Sequence, residues 1–343
     1  MKTKLTSIIA CVCAVVISTM TQAQAQSAAL VKVTPETFIR AETDGRFAGI
    51  IQRAGGVNRP SYFRVPTPLD AQIVMRMNRD TIYTPTVVDT SKGATITVPE
   101  NLPKDRLITI LPIDNDHYSP GLIPATPGSH EIPGDTKYMG VLVRLQVFNP
   151  KDPAELAMLN KLQDQFVIKA NSADPMPAFK WDISSLKALE AQYEKDFVSY
   201  TTSAGMMGPR GKVNEKIRHI GAATMWGLNE DKDALYLNYM GGHDTKVGYK
   251  ATYQVPENNA FWSITVYGSD GMMKTENCIV NSSTVKLNPD GTFTVYFGSK
   301  EQCGDVPNRL DVSEGWNFIM RIYRPGPSVL DGTYKMPEAM PIT

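Results

Sequence analysis

The chain has 343 residues, 42% of them hydrophobic and 20% charged, with 35 basic residues against 35 acidic ones. So even a balance argues against nucleic acid or an anionic membrane as a partner. At roughly 100 to 200 residues per domain the length allows two domains, each able to bury a sizeable core.

The first segment reads as an export leader. Lys2 and Lys4 precede an uncharged apolar stretch from Leu5 to Met20, and Ala23-Gln24-Ala25 forms an A-x-A cleavage site. Cleavage after Ala25 is expected, giving a periplasmic or secreted protein. A lipoprotein leader at Cys11 is disfavoured because too few residues precede it. The apolar stretch falls short of the roughly 20 residues that cross a bilayer, and no later segment is long and apolar enough, so no membrane span is expected. Loss of Lys2 and Lys4 leaves 33 basic against 35 acidic residues, a net charge of −2. Only Cys278 and Cys303 then remain, enough for one disulfide at most.

The mature chain reads as three parts: an N-terminal β-rich domain over 28–150, a helical connecting segment over 151–228 and a C-terminal β domain over 229–343. Thr34-Pro35-Glu36 opens a short helix that Gly55-Gly56 stops. Prolines then break the chain repeatedly, and Thr86 to Val88, Ala94 to Val98 and Leu107 to Ile113 read as strands between the breaks. The longest strand is Tyr138 to Phe148, with Val141, Val143, Leu145 and Val147 on one face and Arg144 and Gln146 on the other. Asp152-Pro153-Ala154-Glu155 caps a helix. A second runs from Ile183 to Ser203, and a third lies near Val213 to Thr224. From Leu235 the period returns to two. Val247 to Val255, Phe261 to Tyr267, Ile279 to Leu287, Thr292 to Phe297 and Trp316 to Tyr323 read as strands, with a turn at Asn288-Pro289-Asp290-Gly291. Antiparallel strands at this spacing argue a β-sandwich or jelly roll. The fold class expected is mainly β with connecting helices.

Asn78-Arg79-Asp80-Thr81-Ile82-Tyr83, Asp116-His117-Tyr118, Arg218-His219-Ile220 and Trp226-Gly227 resemble bacterial proteins carrying domain of unknown function 1254. Phe261-Trp262-Ser263-Ile264-Thr265-Val266-Tyr267, Gly315-Trp316-Asn317, Arg321-Ile322-Tyr323-Arg324-Pro325 and the closing Gly332 to Ala339 resemble its usual partner, domain of unknown function 1214. The resemblance implies an N-terminal β-rich domain, connecting helices and a C-terminal jelly-roll-like domain, and it is compatible with a homo-oligomer. It carries no agreed reaction. Many relatives place two nearby cysteines in one loop; here Cys303 is followed by Arg309-Leu310, which leaves Cys278 as its possible disulfide partner.

Several polar groups are candidates for chemistry. Asp114-Asn115-Asp116-His117-Tyr118 ends an apolar strand; His117 is either a general base or ligand oriented by an aspartate, or one side chain of a turn whose aspartates bond backbone amides. Either Asp80 is a catalytic carboxylate with Asn78 and Tyr83 donating to a substrate or oxyanion, or Asn78 and Asp80 close an Asx turn, with Arg76 or Arg79 pairing Asp80. His219 lies away from the buried stripe of its helix, and His243 follows Gly241-Gly242 in a loop. Trp262, Tyr267, Trp316 and Tyr323 fit core packing better than a ligand platform. Arg321 sits opposite the apolar face of its strand, on a wet face or anchoring a carboxylate.

The chain lacks a G-x-S-x-G elbow, an H-E-x-x-H helix and phosphate or dinucleotide glycine loops, and Ser184-Ser185-Leu186-Lys187 lacks the companions of an S-x-x-K acylase. No cofactor is indicated, while a metal ion at the aspartates stays open. The reading that follows is an exported hydrolase or lyase for a small or carbohydrate-like molecule in an interdomain cleft. His117 would be the base, Asp80 or Asp116 the carboxylate, and Asn78, Tyr83, Tyr118 or Arg321 would hold the substrate. The rival reading is a non-catalytic jelly-roll module for ligand binding or assembly.

Overall fold

The computed structural model describes residues 30–241 and 244–342. The leader at 1–25, with Cys11 and Cys13, and His243 lie outside the described residues.

Helix α1 (Phe38–Ala54) ends where Gly55 turns left-handed at φ 76° and returns its N–H to Gln52. It starts later than the Thr34-Pro35 signal suggests, because Thr34 to Thr37 forms a separate turn closed by the Thr37 N–H on the Thr34 carbonyl. Strands β1 (Thr81–Asp89), β2 (Ala94–Val98), β3 (Ile108–Ile113), β4 (Gly128–Glu131) and β5 (Tyr138–Gln146) follow, then α2 (Pro153–Gln163) and β6 (Val167–Ala170). Two antiparallel sheets result, ordered β1-β5-β3 and β4-β2-β6. Ile82, Val88, Val141, Val143 and Leu145 face the second sheet and α2 in one core. The opposite face of β5 is covered too. Gly140 lets α1 approach, since a Cβ there would stand 2.7 Å from the Phe47 ring. Strand β6 arises inside a stretch expected to be only helical; it pairs with β2 as a short edge.

Two further helices, α3 (Ile183–Phe197) and α4 (Arg218–Thr224), join the halves. Asp182 caps α3 by accepting from Ser184 and Ser185 N–H, so Ser184 and Ser185 serve a helix start. Helix α4 is shorter than expected.

The second half contains β7 (Ala234–Met240), β8 (Tyr249–Tyr253), β9 (Trp262–Tyr267), β10 (Ile279–Asn281), β11 (Phe293–Phe297), α5 (Lys300–Cys303), β12 (Arg309–Leu310), β13 (Asn317–Tyr323), α6 (Pro327–Leu330) and β14 (Met340–Pro341). They form two four-stranded sheets, β10-β9-β13-β7 and β12-β11-β8-β14. Strand β10 is far shorter than the Ile279 to Leu287 run, because the Asn281 side chain accepts from the Ser283 and Thr284 N–H groups and turns the chain. The sheets pack through rings: Trp262 on Phe293 at 4.3 Å, Phe297 on Trp316 at 4.9 Å and Phe297 on Phe318 at 5.2 Å. Trp262 and Trp316 are therefore core residues. In β8 the alternation of buried and exposed residues matches a strand with one wet face.

The outer face of the β10-β9-β13-β7 sheet is polar. Arg321 stands opposite Tyr236 on one neighbour and Ser263 on the other, and Tyr267 and Thr265 share that face. The face is nevertheless dry, because the segment leading into β1 lies across it. Tyr267 donates to the Met77 carbonyl at 2.8 Å, Arg321 donates to the Arg76 carbonyl at 2.6 Å, and Asn78 donates to the Tyr323 hydroxyl. The wet face offered for Arg321 by strand alternation is thus covered by the segment at 76–78.

Candidate functional site

Where these faces meet, a cavity of about 180 Å³ remains. Alternation in β1 and β5 sends Tyr83, Pro85, Leu142 and Arg144 into it, and the same rule in β7 and β13 sends Tyr236 and Arg321. The 73–78 segment forms a second wall and Met225 to Leu228 a third. Helix α1 closes it with Arg46, Gly49, Ile50 and Arg53, which recur at helical spacing. Phe63, Ile50, Ile73, Leu142 and Trp226 make much of the surface apolar.

Five arginines reach the lining, and their pairing divides them. Arg76 is clamped by both oxygens of Glu194, at 2.9 and 2.6 Å. Arg46 holds Glu42 at 2.5 Å. By contrast, Arg144 bonds only neutral groups, the Gly227 carbonyl at 2.5 Å and Asn229 Oδ1 at 3.1 Å. Arg321 likewise bonds the Arg76 carbonyl, the Tyr267 hydroxyl and Thr265 Oγ1. Arg144 is 8% exposed and Arg321 2%. A guanidinium has five N–H donors, so each keeps at least two without a partner among the described residues. The Tyr236 hydroxyl also has no hydrogen-bond partner among the described residues, and the residue is 8% exposed. Burying cations without anions is costly, and a ligand that supplies the anion relieves that cost.

Asp80 is the carboxyl that feels the Arg321 charge, but burial outweighs that charge and raises its pKa. Asn281 donates to its Oδ1 at 2.9 Å, and Oδ2 is buried without a partner among the described residues. It lies behind the cavity wall rather than on it. Asn78 Oδ1 accepts from the Asp80 N–H, which is the Asx turn of the structural reading. Neither expected arginine pairs with Asp80: Arg79 holds Glu276 at 2.7 Å and Arg76 holds Glu194.

His117 is not at the cavity surface. It adopts φ 59° at the tip of a turn closed by Asp114, whose Oδ1 accepts from the Asp116 and Tyr118 N–H groups. Its ring is fully buried; Nε2 accepts the Gly227 N–H at 3.0 Å, and Trp226 packs against it at 5.5 Å. Burial, with help from the Arg218 charge, pushes its pKa down to about 3. A neutral imidazole whose basic nitrogen already holds a backbone amide is placed to support the Trp226-Gly227 wall, and this geometry removes it from the role of general base. Asp116 lies on the other side of the turn, in ion pairs with Arg40 at 2.6 Å and Arg210 at 3.0 Å. Burial would raise its pKa, but those two arginines hold it below the usual carboxylate value. Tyr118 donates to Glu215 at 2.7 Å between the Arg210 and Arg218 guanidiniums. Arginines thus occupy the oxygens proposed for a metal, and among the described residues no group of three or more His, Cys, Asp or Glu could hold one.

Cys278 and Cys303 are both free and buried, so the disulfide does not form. His219 packs against Tyr193, with ring centroids 4.4 Å apart and the planes tilted by 59°. Of the residues singled out for substrate or catalysis, the cavity gathers Asn78, Tyr83 and Arg321 and leaves out Asp80, Asp116, His117 and Tyr118. It adds Arg144, Tyr236, Arg53 and Gly49. Arg144 had a visible signal, as the one charged residue between Tyr138 and Phe148.

Residues 228–327 match the family described as "Protein of unknown function (DUF1214)". Comparison with curated proteins gives no match. Among solved structures, the crystal structure of the VPA0106 protein from Vibrio parahaemolyticus is similar at 16% identity and a TM-score of 0.64, over 90% of this chain and 98% of that one. A putative uncharacterized protein from Burkholderia cenocepacia is similar at 13% identity and a TM-score of 0.55, over 91% of each chain. At these identities the likeness shows a shared fold.

Proposed function

We propose that the protein binds a small organic anion with an apolar body in this cavity, as a binding protein rather than a hydrolase or lyase. The observation that carries the reading is the pair Arg144 and Arg321, two buried guanidiniums with only neutral partners opening on one cavity. The Tyr236 hydroxyl supplies a further donor, and Trp226 with Phe63 offers flat apolar walls. A hydrolase or lyase needs a base or nucleophile against its substrate. Among the described residues the lining holds no carboxylate, imidazole, thiol or aliphatic hydroxyl, and of its two tyrosines Tyr83 has its pKa raised by burial, which disfavours the phenolate a base would need. Together with the leader expected at 1–25, the reading is of an exported ligand binder.

Calorimetric titration of paired probes tests it. Benzoate and hexanoate should bind with one-to-one stoichiometry, while the neutral isosteres benzamide and hexanamide should bind at least about tenfold more weakly, since a charged hydrogen bond is typically worth ~1.5–3 kcal/mol. Equal affinity within each pair would remove the anion from the reading.

A further inference from the structure

We propose, resting on that reading, that the cavity is built for a dianion: two carboxylates joined by an apolar span, one held deep by Arg144 and Arg321 and the other at the mouth by Arg53. Of the five lining arginines, Arg46 and Arg76 have glutamate partners while Arg144, Arg321 and Arg53 form no ion pair among the described residues. Arg53 differs from the inner two in being exposed, which puts it at the rim. Its guanidinium folds back over the helix, so that a Cβ on Gly49 would lie 3.7 Å from Arg53 Nη1. On its other side it packs over the Phe63 ring at 5.4 Å. The missing side chain at Gly49 therefore leaves room under a cation that faces the cavity. Burial and the neighbouring Arg46 charge lower the Arg53 pKa, which is the signature of a cation short of anions. Between rim and floor the walls are apolar, with Ile50 and Phe63 on one side and Leu142 and Trp226 on others. The helix stripe from Arg46 to Arg53 runs about 10 Å along the cavity at 1.5 Å per residue. A monoanion with a hydrocarbon tail would set that tail against Arg53. A second carboxylate gives the rim cation its partner.

The experiment compares adipate with hexanoate, two chains of equal carbon number that differ in the distal carboxylate, by calorimetric titration at low ionic strength. On the unmodified protein adipate should bind about tenfold more tightly, as for a charged hydrogen bond. Arg53→Gln, at an exposed position with no ion pair to lose among the described residues, should still fold and should abolish the preference for adipate over hexanoate. Arg144→Gln should weaken both. Equal affinities on the unmodified protein, tighter hexanoate, or an Arg53→Gln variant that keeps the preference for adipate would overturn the rim contact while the anion site stands. If neither compound binds, the anion site itself fails.

Discussion

Replacing Arg144 by methionine separates a functional cation from a structural one. The substitution removes hydrogen bonds to the Gly227 carbonyl and Asn229 Oδ1, a loss of ~1.5–3 kcal/mol each in general. Against that, it removes a buried cation without a carboxylate partner, whose desolvation penalty is several kcal/mol. Methionine refills the stem's volume with an adaptable chain. The opposing contributions are similar in size, so stability should stay within about 2 kcal/mol of the unmodified protein. Benzoate affinity should fall by roughly ten- to a hundredfold, the equivalent of one charged hydrogen bond. Urea unfolding and calorimetric titration read the two quantities separately. A loss of ~3–5 kcal/mol is what breaking a buried ion pair costs; that result, or an unchanged affinity, would refute the assignment of Arg144 to a ligand.

Gly49→Met should fill the cavity from α1: the nearest atom to its Cβ is Arg53 Nη1 at 3.7 Å, so the helix should gain up to about 1 kcal/mol while benzoate binding is lost. Retained binding would place the ligand elsewhere. Burial raises the Asp80 pKa in the fold, so its contribution to stability is complete below the unfolded carboxylate range and is lost as pH rises through the folded value. Asp80→Asn should therefore melt higher than the unmodified protein at pH 7, with the difference shrinking in acid, and a lower melting point at pH 7 would contradict the raised pKa. For His117 the folded pKa is depressed to about 3, so its stability contribution is present above the unfolded value near 6.5 and falls as pH drops toward 3. Its imidazole resonances should show no titration between pH 8 and 5 by NMR, and a midpoint near 6.5 would mean an accessible ring.

Much of the fold is legible in the sequence because its signals are local. Asp152-Pro153 caps α2 where expected, with Asp152 accepting from the Ala154 N–H, and period two in Val247 to Val255 yields β8 with its wet face. Errors arise where side chains override propensity. Asn281 cuts short a β-branched run by bonding the amides beyond it, and β6 exists only because β2 offers an edge. The site is less legible. The aspartates and histidine of 114–118 look like chemistry in one dimension, yet Asp114 spends its oxygens on backbone amides and Arg210.

What the sequence determined alone is which way each side chain points along its own strand: Arg144 opposite Val143 and Leu145, and Arg321 opposite Phe318, Met320 and Ile322. Tertiary structure decided what those faces meet. The face of Arg321 could look onto water as far as periodicity can say; the 76–78 segment covers it instead, and β5 and α1 close the space beyond. Alternation is a property of a few consecutive residues, whereas a cavity shared by Arg53, Arg144 and Arg321 depends on contacts between segments far apart in the chain. Only the packed fold brings those contacts into being.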